Sequence, residues 1–317
     1  MSSIKYEKRR KLTLSESRKL LLVGDNPFHG ISHLSEDRAR VRGGKLSQPE
    51  YAASLVLDSV KNGANGFMFS VSETTLSVLR IVSEKASNQP IELHAIVPYA
   101  YEYVRLATHL GTLGLGRKLA GRVVRSGNLK AIATGFRGVV GMDPVALMKT
   151  YLIYEKSRIM SSVGKRQKLS SIILHEVITD MAVALNLDWF VKSYVRFVSG
   201  LRVKPGFETR NFAYLVNKFK EWNVDFSGIE LVSSFNKVGF QMNPSKNSCE
   251  EALAGIPQCD VIAMSILAAG YISLPDAAVY IEGLPNLKGM VVGVSKEKQA
   301  CETFSFLRNR FSDQSQL

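Results

Sequence analysis

Short apolar runs that end in polar residues recur along the chain and alternate with amphipathic stretches. The last three runs, residues 228–235, 260–267 and 287–295, are almost continuously apolar, as parallel strands buried on both faces are. Five earlier runs share this character, at residues 20–25, 66–71, 91–97, 171–176 and 201–206. Between the runs, apolar residues return at helical spacing, as over residues 48–62, 73–86, 177–198 and 209–222. The pattern therefore predicts eight parallel strands, each followed by a helix.

Eight consecutive strand–helix units predict an α/β fold of the (β/α)8, or TIM-barrel, type. A chain of 317 residues is of ordinary length for one such barrel, and right-handed units of this number close into a barrel more readily than they form an open sheet. A doubly wound sheet is the alternative. No Gly-x-Gly-x-x-Gly turn follows the first strand, which argues against a dinucleotide-binding domain of that kind. We expect a single domain over residues 1–317.

Two segments do not fit the alternation of strands and helices. Residues 1–19 are a basic extension, and residues 99–168 are longer than an ordinary connection. The second segment is predicted to be a helical insertion after the third strand, with a basic, glycine-rich middle and a further helix that begins at Asp143-Pro144. Because the active sites of such barrels lie at the carboxyl ends of the strands, the insertion is interpreted as a lid. A packed helical decoration is the alternative.

Charge and composition narrow the expected partners and compartment. Lys plus Arg exceed Asp plus Glu by 41 − 28 = 13, and residues 103–142 hold seven basic and no acidic side chains. Such clusters attract phosphorylated ligands, anionic lipid or nucleic acid. No nucleic-acid motif is visible, so we expect an anionic or phosphorylated small molecule, with peripheral contact to an anionic membrane as a further expectation. No run of about 18 apolar residues occurs, and the three cysteines lack metal-ligand spacing, which favours a cytoplasmic protein.

Polar residues just past the strands are the catalytic candidates, because these positions converge on one cavity in a barrel. His175 ends an apolar run and is suited to act as an acid or to polarise a carbonyl group, and Glu176 adjoins it. Asp25 ends the first strand, and Tyr99 follows the third. Lys204 is placed at the end of the fifth strand, where burial would lower its pKa and allow a Schiff base.

The first loop carries two histidines at a spacing that binds metals on a helix. His29 and His33 are four residues apart. Pro27 and Gly30 make this segment a loop, and no His-Glu-x-x-His pattern is present. A structured active-site loop is favoured, and no metal site is predicted.

The end of the eighth run is typical of an anion site. Gly293 and Ser295 lie in a small-residue turn that leads into a helix. The first backbone N–H groups of a helix have no partner within it and attract anions. Lys296 and Lys298 add positive charge beside this turn. We therefore expect the phosphate group of a ligand to bind here.

Four motifs in the C-terminal half carry a resemblance to a known family. Residues 169–175 end in a histidine, residues 202–212 contain a strand and an Asn turn, residues 261–270 end in small residues, and residues 292–298 form the turn just described. Together these motifs resemble the aldo-keto reductase superfamily over roughly residues 170–310. They look like its fourth strand with the catalytic histidine, its fifth and seventh strands, and the loop that holds the phosphate of the nicotinamide nucleotide.

The resemblance implies a (β/α)8 barrel that acts on a carbonyl compound, with His175 as the catalytic histidine and NADPH as the candidate cofactor. The cofactor-binding residues that it implies are Asn211, Ser265, Gly270, Gly293, Ser295, Lys296 and Lys298. Lys296 and Lys298 would favour the 2′-phosphate of NADPH. The N-terminal half departs from the family, because residues 67–75 contain neither the Asp nor the Tyr of its catalytic tetrad and residues 93–99 lack the Lys.

Three functions remain open from the sequence. The first is an aldo-keto-reductase-like oxidoreductase that uses His175 on a carbonyl compound. The second is a lyase or isomerase that needs no cofactor and acts on a phosphorylated substrate through His175 with Glu176, or through Lys204. The third is a non-catalytic barrel that binds anions. The oligomeric state is not indicated.

Overall fold

Eight parallel strands close into a barrel in the computed structural model, which describes residues 19–29, 48–86, 89–98 and 143–312. The strands are β1 (Leu20–Gly24), β2 (Gly66–Ser70), β3 (Ile91–Val97), β4 (Gln167–Leu174), β5 (Lys204–Thr209), β6 (Glu230–Ser234), β7 (Asp260–Met264) and β8 (Leu287–Gly293). Each strand pairs with its neighbour in sequence, and β8 pairs with β1. The predicted (β/α)8 barrel is confirmed, and the doubly wound open sheet is excluded.

Nine α-helices of the described chain surround the barrel. They are α1 (Pro49–Lys61), α2 (Glu73–Lys85), α3 (Pro144–Met160), α4 (Glu176–Ala184), α5 (Asp188–Gly200), α6 (Phe212–Glu221), α7 (Lys246–Ala254), α8 (Leu274–Glu282) and α9 (Glu297–Ser312). The start of α3 is fixed by Asp143, whose carboxylate accepts the N–H of Val145, with Pro144 at the first helical position. The apolar faces of the helices and the outward-facing strand residues form one core. Within the described ranges, no helix is long and apolar enough to cross a membrane.

The predicted boundaries around the fourth and fifth strands are wrong. β4 ends at Leu174, so His175 and Glu176 lie beyond the strand, where α4 begins. β5 covers Lys204–Thr209 instead of residues 201–206. The helix predicted over residues 177–198 is two helices, because Asn186 adopts a left-handed backbone conformation with a φ of 55° between them.

The Pro205-Gly206 pair explains why the sequence prediction ended the fifth strand too early. Pro205 and Gly206 indicate a strand end in the sequence, yet both lie inside β5. Proline has no N–H group to donate to the ladder. Opposite Pro205, the carbonyl oxygen of Ile172 accepts a hydrogen bond of 2.5 Å from the buried hydroxyl of Tyr194. The same hydroxyl lies 3.3 Å from the carbonyl oxygen of Gly206, so Tyr194 bridges β4 and β5 beside the proline.

Part of the predicted insertion belongs to the barrel itself. α3 connects β3 to β4, and residues 167 and 168 are the first two of β4. Residues 99–142 and the basic extension up to residue 18 lie outside the described residues. The interpretation of the insertion as a lid therefore stays a prediction.

The strand register sorts the inward-facing side chains into staggered layers. Side chains alternate along each strand, and the inward residues of alternate strands share a height in an eight-stranded barrel. At the carboxyl ends, the two uppermost layers are Ser70, His175, Ser234 and Gly293, and below them Gly24, Ile96, Glu208 and Met264. The two middle layers are Met68, Ile173, Val232 and Val291, and below them Leu22, His94, Gly206 and Ile262. At the amino ends, the two lowest layers are Gly66, Ser171, Glu230 and Gly289, and below them Leu20, Glu92, Lys204 and Asp260. The middle layers form a separate apolar cluster inside the barrel. Two polar regions are thus kept apart, one at the carboxyl ends, called the mouth, and one at the amino ends, called the floor.

The floor contains a buried hydrogen-bonded network. His94 is 1% exposed, and its Nδ1 lies 2.9 Å from the hydroxyl of Ser171 and 3.0 Å from the carboxylate of Glu230. Burial disfavours protonation of His94, but the carboxylate of Glu230 outweighs this effect and raises the pKa of the histidine. Lys204 and Asp260 form an ion pair in the lowest layer. The floor is therefore bound together by charges as well as by apolar packing.

Candidate active site at the barrel mouth

Asp25 anchors the mouth on the β1 side. The residue is 3% exposed, and its Oδ2 accepts the backbone N–H of Ser70 at 2.7 Å. A single turn, Asn26–His29, follows β1 and brings Nε2 of His29 to 2.9 Å from the same oxygen. The buried ring of Phe28 holds this turn against the core. The sequence-based placement of Asp25 in the mouth agrees with the structure.

His175 caps α4 from the end of β4. Its Nδ1 accepts the N–H of Val177 at 3.2 Å, so a neutral ring carries its proton on Nε2. The residue is 8% exposed. Burial lowers the pKa of His175, the carboxylate of Glu176 opposes this, and the nearby Arg210 lowers it further. The ring is therefore neutral at neutral pH, and its Nε2 is a hydrogen-bond donor.

Glu208 lies one layer below His175, on the neighbouring strand. The residue is 8% exposed, and its Oε2 accepts one hydrogen bond, from the N–H of Glu176 at 3.3 Å. Burial and the negative charge of Glu176 raise the pKa of Glu208 to about 7, and Arg210 only partly offsets them. Asp25 contributes to the same rise. The mouth thus holds a carboxyl group that exchanges its proton near neutral pH.

An ion-pair network borders these residues. Arg210, just after β5, pairs with the carboxylate of Glu176 and donates to the side chain of Gln241. Asp180 of α4 accepts the hydroxyl of Thr209 at 2.5 Å and the side-chain amide of Asn211 at 3.0 Å. Glu176 and Asn211 thus bond to neighbouring side chains, and their contacts with substrate and cofactor stay predictions.

Ser234 is a mouth residue that sequence reasoning missed. It ends β6 in the uppermost inward layer, is 0% exposed, and its hydroxyl oxygen has no hydrogen-bond partner in the described part of the chain. A buried polar atom without a partner costs free energy unless a ligand or water satisfies it. The sequence offered two adjacent serines, and only the barrel register shows which one faces inward.

The sequence prediction placed Lys204 at the mouth, but it lies at the opposite end of the barrel. It is the first residue of β5, in the lowest layer, and pairs with Asp260 at the floor. The apolar layers separate it from His175. Lys204 therefore cannot share a substrate with the mouth residues, and the Schiff-base alternative loses its basis. Tyr99 lies outside the described residues.

The expected cofactor residues lie on the β7 and β8 loops. Ser265 follows β7 with a left-handed φ of 54°, and Gly270 ends the next turn with a φ of 92°. Past β8, the N–H of Ser295 donates to Oε1 of Gln299 at 2.9 Å, and its hydroxyl donates to the same oxygen at 3.3 Å. Gly293 is exposed, beside Ser295.

The two lysines of the β8 loop lie at the surface. Lys298 pairs with Glu302 at 3.7 Å, and Lys296 is exposed. The described residues contain no group of three or more His, Cys, Asp or Glu side chains that could hold a metal ion.

Comparison with known proteins supports the fold. The chain resembles two crystal structures described as candidate aldo-keto reductases from Pseudomonas aeruginosa, with TM-scores of 0.54 and 0.53, 10% identity, and coverage of 92% of this chain and 91% of each of those chains. A tryptophan synthase alpha subunit from Legionella pneumophila aligns with a TM-score of 0.45, at 10% identity over 97% of this chain and 98% of that chain. No family model and no curated protein matches the sequence. The resemblance to aldo-keto reductases is confirmed for the (β/α)8 barrel.

Proposed function

We propose that this protein is an enzyme that reduces a small carbonyl compound at the barrel mouth. The observation that carries the proposal is the state of His175: a buried, neutral imidazole in the uppermost inward layer, with its proton on Nε2. Such a group donates a hydrogen bond to a carbonyl oxygen and stabilises the negative charge that develops there. The fold shared with candidate aldo-keto reductases supports the same reaction class.

NADPH is the proposed source of the hydride. The residues of the β8 loop suit a phosphate group, because Ser295 presents an N–H and a hydroxyl to one acceptor oxygen, that of Gln299. A phosphate oxygen is a stronger acceptor than a neutral amide, and the Gln299 side chain can turn away to admit it. Lys296 and Lys298 stand beside this position at the start of α9. These residues would hold the nucleotide by its phosphate.

A binding and turnover experiment tests the proposal. The protein is titrated with NADPH while nucleotide fluorescence is followed, with NADH and inorganic phosphate as competitors, and NADPH oxidation is then measured over a panel of aldehydes and ketones. We expect phosphate-competed binding and carbonyl-dependent oxidation. His175→Phe, which keeps a ring but removes the donor, should lower kcat about 100-fold or more and leave NADPH binding unchanged.

Two results count against the proposal. Absence of NADPH binding together with absence of turnover across the panel would reject it. Normal turnover by His175→Phe would reject the role of the histidine. Circular dichroism of the variant is the necessary control, because His175 also caps α4 and its loss removes a helix cap.

A further inference from the structure

Two carboxyl groups of the mouth, those of Asp25 and Glu208, differ in their hydrogen-bond partners. Oδ2 of Asp25 accepts the N–H of Ser70 at 2.7 Å and lies 2.9 Å from Nε2 of His29. Glu208 has a single long hydrogen bond from a backbone N–H, and its Oε1 has no hydrogen-bond partner in the described ranges. Pairs of acids whose surroundings differ in this way are typical of sites that move protons.

We propose that Glu208 is the proton-transfer residue of the mouth, and that with His175 it gives the protein an enolisation activity that requires no nicotinamide. This inference rests on the proposed function only in taking a carbonyl compound as the substrate. The activity is exchange of a proton on the carbon next to the carbonyl group. The substrate class is a small α-hydroxy aldehyde or ketone, because its hydroxyl group could bind the buried, unpartnered hydroxyl of Ser234.

The chemistry is balanced within the site. The C–H bond next to the carbonyl breaks, and its proton passes to the carboxylate of Glu208. The electron pair forms a C=C bond while the C=O pair moves onto oxygen, where Nε2–H of His175 donates a hydrogen bond. The reverse step returns a proton that has exchanged with solvent, to the same carbon or to the neighbouring one. A neutral histidine at a helix N-terminus, paired with a carboxylate base, is an established combination for this reaction class.

The charges that face Glu208 keep both of its protonation states available. Glu176 and Asp25 raise its pKa, Arg210 lowers it, and the neighbouring His175 is neutral. The result, about 7, gives comparable amounts of acid and base at neutral pH, which is the optimum for a group that must take up a proton and return it.

Ser234 indicates the substrate class. Its buried hydroxyl lies in the uppermost inward layer, on the strand that follows that of Glu208, and has no hydrogen-bond partner among the described residues. A hydroxyl group on the carbon next to the carbonyl would satisfy this atom, since a hydroxyl both donates and accepts. A simple ketone would leave it unpaired.

Hydrogen exchange provides the test. The protein is incubated in D2O, without nucleotide, with hydroxyacetone, dihydroxyacetone, glyceraldehyde and dihydroxyacetone phosphate, and loss of the C–H signal is followed by proton NMR. We expect exchange at least tenfold above buffer for one or more of these probes. The rate should rise with pH as Glu208 ionises, with a midpoint near 7.

Matched variants separate catalysis from structure. Glu208→Gln keeps the size of the side chain but cannot carry the proton, and should lower exchange 100-fold or more; Glu208→Asp should retain part of the activity and the pH profile. Glu251→Gln, at an exposed position on α7, should change nothing. Ser234→Ala should raise KM for hydroxyacetone and leave kcat close to the wild-type value.

The outcomes distinguish this inference from the proposed function. No exchange with any probe, while NADPH-dependent reduction is present, overturns the enolisation activity and leaves the reductase in place. Wild-type exchange by Glu208→Gln, with a folded spectrum, overturns the role of Glu208. Exchange without any NADPH binding supports the inference and rejects the nucleotide part of the proposed function.

Discussion

Replacing Glu208 by glutamine should stabilise the protein at alkaline pH. The carboxyl group is buried beside Glu176 and Asp25, and its single hydrogen bond, 3.3 Å from the N–H of Glu176, is long. Ionisation in these surroundings is unfavourable, so the folded state keeps the proton to a higher pH than the unfolded chain does. Glutamine fills the same space, accepts the same N–H, and never ionises.

The size of the effect follows from the pKa of Glu208. Unfolded glutamate loses its proton near 4.5, whereas the folded group loses it near 7. Between these values the native state binds more protons than the unfolded state, so the free energy of unfolding falls as pH rises. At roughly 1.4 kcal/mol per pH unit, the full cost above pH 7 is about 3 kcal/mol. Below pH 4.5 both states are protonated and the cost disappears.

Urea unfolding of the wild type and Glu208→Gln at pH 5 and pH 8.5 measures this cost directly. The variant should gain about 3 kcal/mol relative to wild type at pH 8.5, and only a small part of that at pH 5. Glu302→Gln, exposed on α9, is the control and should show no pH-dependent difference. Other titrating groups occur in both proteins, so their contributions largely cancel in the comparison.

The predicted pH dependence is wrong if the stability difference between Glu208→Gln and wild type is the same at both pH values. It is also wrong if the stability of the variant, measured relative to wild type, is lower at pH 8.5 than at pH 5. Either result would mean that the native carboxyl group ionises at an ordinary pH. The proton-exchange role of Glu208 near neutral pH would then lose its physical basis.

Three further predictions concern the floor, the fifth strand and the β8 loop. His94→Ala leaves the buried carboxylate of Glu230 without its imidazole partner and should cost about 3–5 kcal/mol in urea unfolding at pH 6; since the native pKa of His94 is raised, this cost should shrink as pH rises through that pKa. Tyr194→Phe removes the donor to the carbonyl of Ile172 and should cost about 1–3 kcal/mol in the same assay. Gln299→Glu should weaken NADPH binding at least tenfold in a fluorescence titration, because it places a negative charge where the phosphate is proposed to bind.

Two of these predictions have a control variant, and the third has a threshold that would contradict it. Gln299→Ala removes the competing acceptor without adding charge and should bind NADPH at least as well as wild type; equal weakening by both variants would contradict the proposed position of the phosphate. Glu230→Gln should remove the pH dependence seen with His94. A stability loss below about 0.5 kcal/mol for Tyr194→Phe would mean that the bridge between β4 and β5 contributes little to stability.

The barrel could be predicted from the sequence because its strands are buried on both faces. Such strands appear as nearly continuous apolar runs, and eight of them separated by helical stretches leave little choice of fold. His175 could be found for the same reason, since it is the first polar residue after one of these runs. Its place beyond the strand, where α4 begins, is visible only in the structure, because the predicted strand over residues 171–176 included it and β4 ends at Leu174.

The fifth strand shows where this reasoning stops. Pro205-Gly206 is a strong local signal for a strand end, yet both residues lie inside β5, in register with β4, and the hydroxyl of Tyr194 bridges the two strands there. The misplaced strand moved Lys204 from the floor to the mouth and put Glu208 beyond the strand instead of within it. A hydrogen bond between residues from different elements leaves no mark in a single sequence.

Ser234 could not be identified for a different reason. Its neighbour Ser233 has the same chemistry, but donates to the carbonyl of Thr209 on the outer side of the sheet. Which serine faces inward depends on the register of β6 against β5 and β7, and a shift by one residue would exchange them. Register is set by the closure of the whole barrel, so it becomes visible only in the structure.

The charged side chains of the mouth differ from one side of the barrel to the other, so we expect them to orient an anionic ligand, which the net charge of +13 alone would not do. In the described structure, Glu176 and Glu208 lie on the β4–β5 side, with Arg210 already paired to Glu176. Lys296 and Lys298 follow β8, four strands away and therefore across the barrel. A phosphate on the β4–β5 side would meet carboxylates, whereas on the β8 side it meets cations and a helix N-terminus. The reacting carbonyl is thus expected beside His175 and the anionic group beside Ser295, whether the anion belongs to a nucleotide or to the substrate.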